Sequence, residues 1–200
     1  MVRVVRLLAP ALLLLALACQ PQAPAPVYGP WEEGLTLAYE DPTLPQPQRA
    51  QDRLQVRVAK ATMAPGQPRL VQLDLTSIRG AMTAKVQHQG GGQALLGEDD
   101  HVLSQLLPLG FPTTSAWTER GTEFRVVGRA TWSGAALLPR TADPVGIWVE
   151  AKPDKGPRRR TLYLPNFGEV ESLEERGTQW VTVNRLVAQG YTDLPAIKRR

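Results

Sequence analysis

The 200-residue chain contains a single cysteine, Cys19. One thiol excludes intrachain disulfides, Cys-x-x-Cys redox chemistry and a cysteine-rich zinc site. Histidine is almost as scarce, with only His88 and His101 present, too few to build a zinc centre without cysteine partners. Patterned catalytic motifs are missing as well. No serine stands in a Gly-x-Ser-x-Gly elbow. The run Gly90-Gly91-Gly92 lacks the lysine and hydroxyl residue of a phosphate loop, and is expected to be a flexible hairpin tip. The densest acidic cluster, Glu98-Asp99-Asp100-His101, lacks the alternating oxygen donors around a glycine that calcium requires. The sequence therefore implies no metal and no cofactor, and it assigns no catalytic residue. A hydrolase built on two carboxylates stays open, because such a pair is defined only in space.

Long apolar runs are also lacking. The longest, Leu7 to Leu17, is about 11 residues and contains Pro10, whereas a bilayer-spanning helix needs roughly 20. It follows Arg3 and Arg6 and ends at Ala16-Leu17-Ala18-Cys19. A charged start, an apolar stretch and small residues at the end are the order of a secretory signal peptide, here residues 1–18. The segment resembles a bacterial lipoprotein signal, which implies cleavage before Cys19 and a diacylglyceryl group on its thiol. Ala16 stands where that family prefers leucine, and Ala16-Leu17-Ala18 also fits ordinary cleavage, which would leave a secreted soluble protein. Acylation would remove the liability of an unpaired thiol in an oxidising compartment. Under the lipoprotein reading, Gln20 after the cysteine points to the outer membrane, since aspartate there is the usual retention signal.

Residues 19–30 supply the lipidated cysteine and a proline-rich tether. Residues 31–195 form one expected domain, followed by a basic tail at 196–200. The leader carries Arg3 and Arg6 and no acid, so the +4 of the whole chain falls to about +2 once it is removed. The pI near 9.5 thus overstates any preference for anionic partners. Nucleic acid is not an expected partner, because there is no basic stripe with interleaved aromatics and export would separate the two. Two basic clusters remain, Arg158-Arg159-Arg160 and Lys198-Arg199-Arg200. They read as solvated charges, or as contacts to a partner or to anionic lipid head groups.

Period-two alternation dominates the domain. Leu54, Val56 and Val58 form one set, and Val71, Leu73 and Leu75 a second. Phe124 to Trp132, Val145 to Val149 and Leu162 with Leu164 continue the pattern. Turn residues separate the sets, as at Ala64-Pro65-Gly66, Arg79-Gly80, Arg120-Gly121 and Lys155-Gly156-Pro157. The chain is expected to be mainly β, a single curved antiparallel sheet arranged as a half-barrel or meander. Its last hairpin joins 169–175 to 179–188 through Arg176-Gly177-Thr178. One short helix is expected, with Asp99 and Asp100 capping Val102, Leu103, Leu106 and Leu107 before Pro108. On a curved sheet Trp117, Phe124, Trp132, Trp148, Tyr163 and Trp180 would either fill the core or line a cavity for an apolar ligand.

Two segments carry a wider resemblance. Pro30-Trp31-Glu32-Glu33-Gly34-Leu35-Thr36-Leu37-Ala38-Tyr39 resembles the opening strand of some exported bacterial proteins of unknown function. Leu162-Tyr163-Leu164-Pro165-Asn166-Phe167-Gly168-Glu169-Val170 resembles their closing strand. The resemblance implies a bent sheet around a hydrophobic concavity, like the half-barrels of lipoprotein-localisation factors, and no catalytic residues. Together these features describe a non-catalytic envelope lipoprotein binding an apolar ligand or lipid, or else a structural component docking on a larger envelope complex.

Overall fold

A computed structural model describes residues 26–140 and 142–191. The leader, Cys19, the tether up to Ala25 and the basic tail lie outside these residues. The described residues form twelve strands. The first six are β1 (Thr36–Glu40), β2 (Leu54–Thr62), β3 (Arg69–Ser77), β4 (Gly80–Gln89), β5 (Gly92–Leu96) and β6 (Val102–Leu107). The second six are β7 (Ala116–Glu119), β8 (Thr122–Thr131), β9 (Val145–Pro153), β10 (Arg159–Leu164), β11 (Gly168–Arg176) and β12 (Gln179–Gly190). Among the described residues helix is confined to α1 (Gln48–Gln51) and a 3-10 turn at Ala135–Leu137.

All strands belong to one antiparallel sheet in the order β6-β5-β4-β3-β2-β1-β12-β11-β10-β9-β8-β7. It is two six-stranded meanders joined where the first strand meets the last, Thr36 opposite Gly190. Bulges at Ala38/Tyr39, Val58/Lys60, Val126/Gly128 and Leu162/Tyr163 bend the strands and tighten their twist. The sheet consequently rolls up until it is nearly a closed barrel. Its edges, β6 and β7, are joined by residues 108–115 and are tied by side chains: the Arg120 guanidinium donates to the Leu103 carbonyl.

The strand directions give the barrel two distinct ends. At the entry end Pro26 leads in, Tyr191 leads out, and the β2–β3, β4–β5, β6–β7, β8–β9 and β10–β11 connections lie. The Tyr191 hydroxyl donates to Glu32 there and ties the segment before β1 to the segment after β12. The far end carries the remaining turns.

Alternation builds the interior. Leu37, Val56 and Leu75 lie opposite one another across β1, β2 and β3, and Val71, Val86 and Leu95 across β3, β4 and β5. These rows meet Leu162, Leu164, Val170 and Leu186 from the other meander in one cluster. Residues 132–140 and 142–144 plug the entry end, with Trp132 only 1% exposed and Leu137 and Leu138 packed on the same cluster. A second cluster occupies the opposite face of β9 and β10, where Ile147, Val149 and Tyr163 are covered by Tyr28, Leu107 and Phe111. Tyr28 meets Phe111 edge-on at 4.8 Å, so this residue of the compositional tether is part of the packed domain.

Two local expectations are corrected. Val102–Leu107 is edge strand β6, not a helix, and Asp99 and Asp100 cap nothing. They sit in a tight β5–β6 turn, where Gly97 N–H donates to the His101 carbonyl at 2.9 Å and Asp100 has φ +62°. Two helical turns are too short to persist alone. β5, in contrast, offers this segment a ladder from Val102 to Leu107. Gly90-Gly91-Gly92 is a hairpin tip but a packed one. A Cβ on Gly91 would lie 2.0 Å from the Phe111 carbonyl oxygen, and one on Gly92 would lie 2.9 Å from that of Pro108.

Candidate ligand and partner site

Interior character changes along β9. Trp148 packs on the apolar cluster, and two residues on, Glu150 faces the same way at the far end. Arg125 lies opposite Glu150 on β8 and Arg160 opposite it on β10. The Arg160 Nε donates to Glu150 Oε2 at 2.8 Å. Arg158 Nη1 approaches Oε1 at 3.5 Å, and Arg125 Nη2 stands 3.9 Å from the same oxygen. Glu150 is 8% exposed, so three guanidinium groups converge on one buried carboxylate.

Arg158 also forms a two-pronged pair with Glu175, its Nε donating to Oε2 at 2.7 Å. That pair raises the guanidinium pKa and, helped by the Arg160 charge, holds the Glu175 carboxyl below its ordinary range. The Arg160 guanidinium lies over the Trp180 ring at 4.3 Å. Arg159 points elsewhere, to Glu174 at 3.2 Å. The basic run that leads into β10 is thus ion-paired framework rather than free turn charge. Arg125 is the group least committed to it, with a side chain 70% exposed.

Arg125, Glu150 and Arg158 border a cleft of about 720 Å³, lined also by Trp117, Thr118, Phe124 and Lys152, and Arg160 braces Glu150 from behind that lining. Its walls are mixed. Trp117 and Phe124 stack at 5.0 Å with 5° between their planes, and Lys152 pairs with Glu123 at 3.6 Å.

The six aromatic residues of the sequence reading do not converge on one cavity. Trp117, Phe124 and Tyr163 belong to the second cluster, Trp132 and Trp148 to the interior, and Trp180 lies beneath Arg160. They share out between packing and the cleft because alternation puts neighbours such as Trp148 and Val149 on opposite faces. Sequence reasoning missed Arg125 and Glu150. The available signal was Trp148-x-Glu150 beside Arg158-x-Arg160, charges continuing an interior face.

Neither histidine faces the cleft lining. His88 is 4% exposed beside Gly29 and Gln93, and His101 is paired with Asp99 at the far end. Among the described residues no group of three or more His, Cys, Asp or Glu side chains is placed to hold a metal. No helix among them is long and apolar enough to cross a membrane. A polar cluster on β10–β12 is self-contained: Thr161 and Ser172 hydroxyls meet at 2.9 Å, and Ser172 and Asn184 each donate to Glu169 Oε1 at 2.8 Å.

No protein-family model matches the chain, and no curated protein matches it in sequence. Two solved structures are similar to it. A Bacteroides fragilis protein of YmcC-like fold, described as exported, has 13% identity and TM-score 0.47, with 83% of this chain and 100% of that one covered. A Parabacteroides distasonis protein described as a lipoprotein has 12% identity and TM-score 0.46, with 83% of this chain and 99% of that one covered.

Proposed function

We propose that the chain is a non-catalytic envelope lipoprotein, anchored through Cys19, whose far-end cleft docks an acidic surface of an envelope partner. The observation that carries this reading is an open cleft at the end away from chain entry, lined by Arg125 and Arg158 around Glu150, with Arg160 holding the same carboxylate. An apolar ligand is the weaker alternative. The interior where it would sit is occupied by Leu37, Leu162, Leu164 and Trp132, each at most 1% exposed. A carboxylate-pair hydrolase is weaker still, since Glu150 is held between arginines rather than beside a second buried acid.

Docking is tested by a photo-crosslinking residue at exposed Thr118 in intact cells. A discrete heavier band is expected. Arg125→Glu in the same chain should weaken the complex by about tenfold or more, which is about 1.4 kcal/mol or more. A purely monomeric pattern would rule the docking reading out. The anchor has its own test. Radioactive palmitate should label the wild type and not Cys19→Ser, and an unlabelled wild type means a secreted domain without an anchor.

A further inference from the structure

We infer that the entry end of the barrel rests on the phospholipid bilayer, so that the domain stands upright with its arginine cleft facing away from the membrane. The inference rests on the anchored reading above and adds an interaction surface to it. Cys19 and Pro26 are seven residues apart, so the chain between them spans at most about 25 Å. An acyl group on Cys19 therefore keeps this end, and not the far end, close to the lipid.

The entry-end rim has the composition such a contact needs. The connections at residues 63–68, 90–91, 108–115 and 165–167 contain no charged side chain. Uncharged, proline- and glycine-rich loops lose little solvation on entering the head-group region. Within or beside them Met63 is 68% exposed, Leu109 60% and Tyr191 58%, although Arg69 reaches the Met63 sulfur at 3.3 Å and the Tyr191 hydroxyl is bonded to Glu32. The charges that do occur there are few. Glu32 accepts from Tyr191, Glu33 lies 3.4 Å from the Ala61 N–H, and Arg140 and Asp143 sit in the plug loop. Arg69 lies over the Trp31 ring at 3.9 Å. Downstream of Tyr191 the sequence adds Lys198, Arg199 and Arg200, cations suited to anionic lipid.

The far end has the opposite character. Its turns carry Asp41, Asp52, Arg79, Glu98, Asp99, Asp100, Asp154 and Lys155. Ile78 and Met82 are exposed there too, but among these charges.

The test uses the full-length acylated protein on vesicles of phosphatidylethanolamine and phosphatidylglycerol. Acylation blocks the native thiol, so Met63→Cys, Leu109→Cys and, at the far end, Thr178→Cys each accept one nitroxide label. The ratio of collision rates with oxygen and with a water-soluble nickel chelate reports immersion. Labels at 63 and 109 should show that ratio raised at least twofold on vesicles, and the label at 178 should not. If the protein carries its acyl mass and stays on the vesicles while 63 and 109 behave like 178, the upright contact is overturned and the anchor stands. If labels at 63 and 109 are shielded in detergent by a second copy of the chain, the rim is a copy–copy interface and the inference is overturned. A chain with no acyl mass on Cys19 overturns the anchored reading and this inference together.

Discussion

Gly91→Ala should destabilise the domain by about 3 kcal/mol or more, the largest effect expected of any one-carbon change in it. Gly91 has φ +80°, a conformation that penalises any side chain. The greater part of the cost is contact. The new Cβ would lie 2.0 Å from a backbone oxygen, that of Phe111, which cannot swing aside as a flexible side chain can. The connection is held there by Gly110 N–H donating to the Gly90 carbonyl at 2.9 Å. Pushing it away lifts Phe111, 2% exposed, from its contacts with Tyr28, Trp117 and Tyr163. Gly177→Ala is the control. It has φ +63° but nothing within 4 Å of a Cβ, so it should cost only about 1 kcal/mol. Urea denaturation of both variants separates the terms, and equal losses would show that the Phe111 contact is unimportant.

Acid should weaken the fold between about pH 6.5 and pH 4 through one buried histidine. Burial, reinforced by the Arg69 charge, pushes the His88 pKa down to about 4. Its Nδ1 has no hydrogen-bond partner among the described protein atoms. An unfolded histidine takes its proton near pH 6.5, so between pH 6.5 and 4 the unfolded chain binds the proton that the folded chain refuses. Stability from this group is therefore full above pH 6.5 and falls as the pH drops, by about 3 kcal/mol in all by pH 4. Unfolding free energies measured in urea at several pH values across this window should slope in the wild type and flatten in His88→Gln, whatever the offset between them. Parallel curves would place the proton elsewhere. The Glu174 and Glu175 pairs with arginine, whose carboxyl pKa values are lowered, are lost in a more acidic range.

The fold was largely legible because its information is local. Val71-x-Leu73-x-Leu75 has period two, and the final hairpin around Gly177 is present as expected, Arg176 opposite Gln179. What misled was a segment that satisfies two periods at once. Val102, Leu103, Leu106 and Leu107 suit a helix face, and only the presence of β5 alongside decides for a strand. The aromatic residues were visible but their grouping was not. Trp180 stacks under Arg160 while Trp132 is in the plug, because partners on remote strands determine each setting. The cleft was the least legible part. Arg125, Glu150 and Arg160 come together through two ladder registers, and no single segment holds more than one face of that information.

The join between β1 and β12 also bears on how the molecule comes together. Every other pairing in the sheet links strands that follow one another in the chain, whereas this one waits for a strand that is made long after β1. The middle of the sheet is therefore the part with the greatest loop-closure cost, and the two meanders can collapse locally before it forms. Until β12 arrives, β1 has an open edge carrying Leu37, Ala38 and Tyr39. That interval is when the nascent chain is most exposed to pairing with another copy of itself.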